Sequence, residues 1–380
     1  MKTIIIGGVA AGASTAARLR RMDEKAEIVL LERGPHISYA NCGLPYHLGK
    51  IIPERSWLLV MTPEDFRARF NVDVRVLHEV TAIDRAQKTV RILNRKTGVE
   101  NEERYDKLVI ATGSSPMALQ LPGMDLPEVL PLWTLEDMDR IAKKLDAGAK
   151  HVIVVGGGFV GMELAESLRH RGLGVTLLEM GRQLLPTMDE EMSSLLAEEL
   201  RLAGIVVELG AAVSAFAAAP GGGVTATIKD GRSWTADLVA LCVGVKPNSQ
   251  LASAAGLAVG PKGHIITDAA MRTADPDIFA LGDVVEVMDP VFGTPTAVPL
   301  AGPANRQGRI VADNLLGGSR RYEGTFGASV VKVGKLTAAS CGHTEARLKA
   351  MGKTYQKVYV HAGSHAGYYP GATTLHIKLL

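Results

Sequence analysis

One thiol dominates the chemistry that this chain could carry. Cys42 lies in "SYANCGLPY", residues 38–46, and the residues after it, "GLPYHLGK", read as a helical turn. A thiol at the start of such a turn feels the positive end of the helix dipole and ionises more readily. No second cysteine stands nearby, so the electrons of a reduction cannot be stored as an internal disulfide. Three states remain open to Cys42: a mixed disulfide with a small thiol, a persulfide formed by taking up sulfane sulfur, or a sulfenic acid. Cys242, in "LVALCVGV", reads as inert core within a buried strand, and Cys341, in "AASCGHTE", has no redox feature beside it. His47 and the pair Tyr368–Tyr369 are the available proton donors, and Lys50 is expected to pair with Glu163.

Two glycine turns must position that chemistry. Gly156, Gly158 and Gly161 complete a G-x-G-x-x-G pattern after the strand "HVIVV", and Glu179 closes the following strand. The first glycine permits the tight turn. The second lets a pyrophosphate approach the backbone, the third lets helix and strand pack closely, and the helix N-terminus faces the phosphates. A carboxylate at Glu179 accepts from both ribose hydroxyls and repels a 2′-phosphate, favouring NADH over NADPH, although Arg182 softens that preference. The stretch "TIIIGGVAAGASTAARLRR" repeats the design with Gly7 and Gly12, but Val9 replaces the middle glycine; Glu32 ends its second strand. Two such turns imply two dinucleotides, a resident flavin and a visiting nicotinamide. Asp283, read as the end of the strand in "TADPDIFALGD", is placed to bond a ribityl hydroxyl.

The rest of the chain fits a large α/β protein. It has 380 residues, 41 of them Gly, with 5% aromatic content and a formal net charge of +2. That balance excludes a nucleic-acid footprint. Three widely spaced cysteines exclude a disulfide framework and suit a reducing cytoplasm. No apolar run approaches a membrane span. The N-terminal residues read as a strand, phosphate turn and helix, and their apolar core is too short and glycine-broken for a secretory leader. The chain stops in the strand-like "TTLHIKLL" without a turn, which reads either as an incomplete last domain or as an ordinary C-terminal edge strand.

The segments "GGVAAGASTAARLRR", "SYANCGLPYHLG", "VVGGGFVGMELAE", "DIFALGD", "VPLAGPANRQGR" and "HAGYYPGA" resemble the single-cysteine group of flavin-dependent pyridine nucleotide–disulfide oxidoreductases, from Met1 to Leu380. The group includes coenzyme A disulfide reductases, NADH-dependent persulfide reductases, NADH oxidases and NADH peroxidases. The resemblance implies an α/β fold with two Rossmann-like dinucleotide-binding domains of glutathione-reductase type and a partial α+β interface domain. Residues 1–114 and 247–322 would bind FAD, 115–246 NAD(P)H, and 323–380 would form part of a dimerisation domain. FAD would be held by Gly7, Val9, Ala10, Gly12, Glu32, Arg33, Asn41, Ala111, Thr112, Gly113, Asp283, Leu300 and Ala301. NADH would be held by Gly156, Gly158, Phe159, Val160, Gly161, Glu163, Glu179 and Gly244. Phe159 would shield the flavin face where nicotinamide docks, with Glu163 near that face.

Oxidase and peroxidase members tend to carry a His where this chain has Ala10. That shifts weight toward coenzyme A disulfide or persulfide as substrate, with contacts at Ser14, Arg18, Arg21, Ser38, Asn41 and Asn305. Arg20 joins Arg18 and Arg21 as a candidate partner of coenzyme A phosphates. The implied activity is NAD(P)H-driven reduction of a coenzyme A disulfide, persulfide or polysulfide through Cys42, one of Tyr368 and Tyr369 approaching the thiol, in a cytoplasmic homodimer with neither nucleic-acid nor membrane partners. The alternatives are an NADH oxidase or peroxidase cycling Cys42 through sulfenic acid, and a flavin redox sensor or electron-transfer reductase.

Overall fold

A computed structural model describes residues 1–380, which divide into two compact units. The first comprises Met1–Gly43, Glu54–Met117 and Val245–Phe326; the second comprises Leu44–Pro53, Ala118–Gly244 and Gly327–Leu380. The short piece Leu44–Pro53 therefore belongs to the second unit, although nothing in its composition marks the change.

The first unit is built on a five-stranded parallel sheet in the order Ile278–Ala280, Lys107–Ile110, Lys2–Ile6, Glu27–Glu32, Asp73–Val76. Continuous β-branched and leucine runs make these strands. Ile4, Ile5, Leu30, Leu108 and Ile110 are fully buried, as expected when both faces of a parallel sheet are covered. Lys2–Ile6 has sequence-successive neighbours on one side and the returning strand Lys107–Ile110 on the other. Chain order thus reverses beside the first glycine turn, where open α/β sheets bind their ligands. A three-stranded antiparallel sheet, His78–Asp84, Thr89–Asn94 and Glu100–Arg104, completes this crossover.

The second unit repeats the plan. Its parallel sheet runs Val206–Leu209, Gly174–Glu179, His151–Val155, Leu238–Leu241, Val129–Pro131, with an antiparallel sheet of Val213–Ala218, Val224–Ile228 and Ser233–Ala236. The end of the chain adds a hairpin, Ser329–Val333 with Leu336–Ser340, the helix Glu345–Ala350, and a second hairpin, Val358–Gly363 with Thr374–Leu379. No helix is long and apolar enough to cross a membrane.

Three expectations change at this level. The strand expected to contain Cys242 ends at Leu241, so the thiol lies one residue beyond it. The strand expected to end on Asp283 stops at Ala280, and Asp283 sits in the 3-10 turn Gly282–Val284. Arg20 is not free to meet a phosphate. Its guanidinium donates to the carbonyls of Phe70 (2.8 Å), Asp23 (3.1 Å), Glu24 (2.6 Å), Ala26 (2.7 Å) and Asn71 (2.8 Å). Those bonds use all five of its N–H donors. Arg20 instead clasps the end of the first helix, Ala10–Met22, to the chain before the strand Asp73–Val76. Arg20→Ala is expected to cost on the order of 3 kcal/mol in urea unfolding, because several carbonyls lose a charged donor at once.

Candidate active site

The two glycine turns fold by the same rule. Gly7 has φ +106° and Gly156 φ +109°, a left-handed backbone that only glycine adopts at little cost. A Cβ on Gly12 would stand 1.8 Å from the Gly7 carbonyl oxygen, and one on Gly161 would stand 1.9 Å from that of Gly156. Gly158 differs: a Cβ there would meet nothing within 4 Å. Protein packing therefore does not require a glycine at 158, and the space over it is open to a ligand. In the first turn Val9 fills the matching position and is the N-cap of Ala10–Met22.

Both helices that follow the turns begin without a side-chain cap and without an acidic residue in the first turn. By contrast, Pro63–Phe70 and Leu135–Asp146 are capped by the Thr62 and Thr134 hydroxyls. Uncapped N–H groups in a first turn that holds no acidic residue suit a bound phosphate. Each unit also carries a carboxylate held by two backbone donors. Glu32 accepts from the Gly8 and Gly34 N–H groups, both at 2.8 Å. Glu179 accepts from the N–H groups of Gly157 at 2.5 Å and Gly181 at 2.6 Å. Each oxygen keeps a lone pair for a ribose hydroxyl. These features fit one dinucleotide per unit.

The carbonyl of Ala111 packs against Gly7, where a Cβ would meet it at 2.2 Å. Thr112 and Gly113 follow, fastened by a residue that the sequence did not single out: Asn248. Its side-chain amide donates to the Thr112 carbonyl at 2.8 Å and its carbonyl accepts from the Thr112 hydroxyl at 2.8 Å. Asp283 accepts from the Ser114 hydroxyl at 2.8 Å. Burial raises its carboxyl above the ordinary value, with the Ser114 bond opposing. A half-satisfied, partly desolvated carboxyl is a good acceptor for a polyol hydroxyl. The neighbouring Gly282 N–H is fixed by Gln307 at 2.7 Å, from the helix Ala301–Leu315 that Leu300 caps. Arg33 reaches the Ser115 hydroxyl at 3.3 Å. Asn248, Ser114 and Gln307 escaped notice because their role is contact at long sequence separation, which no local motif reports.

Cys42 is exposed and sits in the 3-10 turn Asn41–Gly43. Its loop is tied to the first glycine turn: the Ser38 N–H donates to the Gly8 carbonyl at 2.9 Å, and buried Ile37 packs against Gly8. Ser38 itself has φ +46°, an uncommon conformation for a non-glycine residue and one that concentrates at functional loops. The Ala10–Met22 and Ala301–Leu315 helices pack through Gly308 against Ala11 and Ser14. That contact brings Ser14 into a hydrogen bond with Asn305 and Arg18 onto Asp313 at 2.9 Å, which Arg320 also binds at 2.9 Å. Arg21 lies over the Phe70 ring, 5.7 Å from its centroid, with its Nε on the Ala17 carbonyl.

In the second unit Phe159 begins the helix Phe159–His170, and Val160 follows it, partly exposed. The Tyr46 hydroxyl donates to Glu163 at 3.1 Å, while burial raises the Glu163 carboxyl. Lys50 does not pair with Glu163 as expected; its ammonium stands 3.4 Å from Asp146. Gly244 has φ +92°. Tyr368 and Tyr369 are 93% and 66% exposed, and the Tyr369 ring stacks edge-on with His365.

The remaining thiols separate by environment. Burial pushes Cys242 up to about 12, and its carbonyl oxygen packs on Gly156. Cys341 is exposed. Iodoacetamide at pH 8 is therefore expected to label Cys42 and Cys341 in the folded protein and Cys242 only after denaturation, read by peptide mass mapping.

The family model for pyridine nucleotide-disulphide oxidoreductases matches residues 1–308. The chain belongs to this family. Coenzyme A disulfide reductase from Staphylococcus aureus (strain JH9) is 35% identical over 380 residues, which span 100% of this chain and 84% of that protein. The reduced Bacillus anthracis CoADR-RHD superposes with a TM-score of 0.96 at 44% identity, over 99% of this chain and 68% of that one. A NAD-dependent persulfide reductase from A. fulgidus gives a TM-score of 0.96 at 37% identity, over 100% of this chain and 70% of that one. This pyridine nucleotide-disulphide oxidoreductase is thus an enzyme of α/β fold with Rossmann-like parallel sheets that works with FAD and a nicotinamide dinucleotide.

Proposed function

We propose that the enzyme uses NADH to reduce a coenzyme A disulfide or persulfide through Cys42. Three features support the reading: a solitary exposed thiol on a loop bonded to the first glycine turn, Ala10 at the place where oxidases and peroxidases tend to carry a histidine, and relatives named for coenzyme A disulfide and persulfide reduction. The tie between the Cys42 loop and the glycine turn carries most weight, because it brings the thiol loop to the turn where the resident dinucleotide is to be held.

In this reading residues 1–114 and 247–322 hold FAD, 115–246 hold NADH and 323–380 serve dimerisation. FAD, when bound, supplies a two-electron relay between NADH and a disulfide. Glu32 orients its adenosine ribose and Asp283 its ribityl chain, with Gly7, Val9, Ala10, Gly12, Arg33, Asn41, the Ala111–Gly113 turn, Leu300 and Ala301 around it. Glu179 reads the NADH ribose, Gly158 leaves room for the pyrophosphate, and Phe159, Val160, Gly161, Glu163 and Gly244 complete that site. Ser14, Arg18, Arg21, Ser38, Asn41 and Asn305 receive coenzyme A.

The Cys42 thiolate attacks the substrate disulfide RSSR, forming Cys42–S–S–R and releasing RS⁻, which takes up a proton. Two electrons from NADH and one proton then restore Cys42 and release the second RSH. Tyr368 and Tyr369 donate protons to the departing thiolates. The enzyme acts as a cytoplasmic homodimer. Intact mass analysis of the purified protein tests the assignment. One flavin per chain and a coenzyme A adduct on Cys42 that NADH removes are expected; protein that takes up no flavin would refute it.

A further inference from the structure

From Gln356 to Leu380 every residue is exposed except one, and that one is a lysine. The Lys378 side chain is only 5% exposed, although lysine is among the residues least often buried. Its ammonium meets three carboxylates: Asp189 at 2.9 Å, Glu191 at 2.5 Å and Glu345 at 2.7 Å. These contacts engage all three of its N–H donors. The cross-strand partner of Lys378 is Tyr359, whose hydroxyl donates to Glu191 at 2.6 Å. Asp189 is the N-cap of the helix Glu190–Leu202 and also accepts from the Glu345 N–H at 2.8 Å. Lys378 therefore occupies the centre of a cluster of acidic groups drawn from two helices. Asp189, Glu191 and Glu345 could otherwise hold a divalent cation, since their ligand atoms lie within 4.8 Å of one another.

The hairpin that Lys378 belongs to, Val358–Gly363 with Thr374–Leu379, carries Tyr368 and Tyr369 in its connecting segment. Val358, Val360, Ile377 and Leu379 are all at least 40% exposed in the single chain, whereas the Lys378 side chain is buried. We propose that Lys378 is the positioning residue of the tyrosine hairpin: its ammonium, seated among Asp189, Glu191 and Glu345, anchors the hairpin to the helix Glu190–Leu202 and so fixes where Tyr368 and Tyr369 stand during disulfide reduction. The functional half of this inference rests on the reading of those tyrosines given above. The anchoring half rests on the ionic cluster alone. Loss of the ammonium leaves three facing carboxylates without their shared cation; Glu345 keeps Lys349 at 2.9 Å and Lys357 at 3.3 Å, but nothing on the second strand then holds it to Asp189 and Glu191.

The test compares the full-length wild-type holoenzyme with Lys378→Met and Lys378→Arg. Hydrogen exchange reads the hairpin amides, stopped-flow absorbance reads flavin reduction by NADH, and steady-state kinetics read disulfide turnover. Lys378→Met is expected to speed exchange of Val358–Gly363 by about tenfold or more and to lower kcat for the disulfide by about tenfold. Flavin reduction and the KM for NADH stay unchanged. Lys378→Arg, which keeps the charge, restores most of both losses. Wild-type exchange in Lys378→Met overturns the anchor, and faster exchange with unchanged kcat overturns the positioning role. Full disulfide turnover by Cys42→Ser would instead bring down the underlying reading of the thiol, which separates the two failures.

Discussion

Cys42→Ser is expected to abolish disulfide turnover, by about a thousandfold or more (~4 kcal/mol of transition-state stabilisation), while NADH still bleaches the flavin at the wild-type rate. The two halves of the cycle draw on different residues. The NADH site proposed above, the turn Gly156–Gly161 with Glu179, lies wholly in the unit that excludes Cys42. Serine preserves the size of the exposed side chain in the Asn41–Gly43 turn, so FAD content and melting temperature stay as they were. What it removes is the sulfur nucleophile that forms S–S bonds. Rapid-mixing absorbance with NADH alone, followed by steady-state assay with coenzyme A disulfide, separates the steps. Residual turnover above one per cent would mean that the acceptor is reduced without covalent help, as in an electron-transfer reductase.

Two alanines placed three residues apart should behave in opposite ways. Gly161→Ala puts a methyl 1.9 Å from the Gly156 carbonyl oxygen, a backbone atom that cannot swing aside. The helix Phe159–His170 must then lift from the turn, and a loss of about 3 kcal/mol or more in stability is expected, with NADH binding lost alongside. Gly158→Ala meets nothing within 4 Å. Its fold, melting temperature and FAD content should match wild type, yet the KM for NADH should rise about tenfold or more, because the methyl occupies the approach of the pyrophosphate. Calorimetry and NADH titration check the pair. If Gly158→Ala leaves the KM unchanged, the open space over that residue is not where the dinucleotide lies.

The double architecture was legible because it is written locally. Strand, glycine turn, helix and acidic strand end sit within some thirty residues at Gly7–Glu32 and again at Gly156–Glu179, and the clasp on each carboxylate follows from that spacing. What stayed hidden is contact between distant segments. The groups that consume Arg20 are backbone carbonyls, two of them at Phe70 and Asn71 some fifty positions away, so a basic helix end looked like a phosphate site. Lys50 meets Asp146 at the end of the helix Leu135–Asp146, while Tyr46 from the same short piece takes Glu163. Lys378 gave no sign at all: an isolated lysine in an apolar strand reads as a solvated edge residue, and only the fold collects Asp189, Glu191 and Glu345 around it.

Cys242 sits directly behind the second glycine turn, its carbonyl against Gly156 and its Cβ 3.5 Å from where a side chain on Gly161 would begin. Burial raises its thiol, so its modification in the folded protein is expected to be slow, and the rate of that modification reports local opening of the turn. Saturating NADH, by holding the turn shut, should lengthen the half-time. Once an adduct forms there, the turn cannot close again, and ageing of the enzyme under oxidants would appear as a progressive inability to accept hydride rather than as damage to its reactive sulfur.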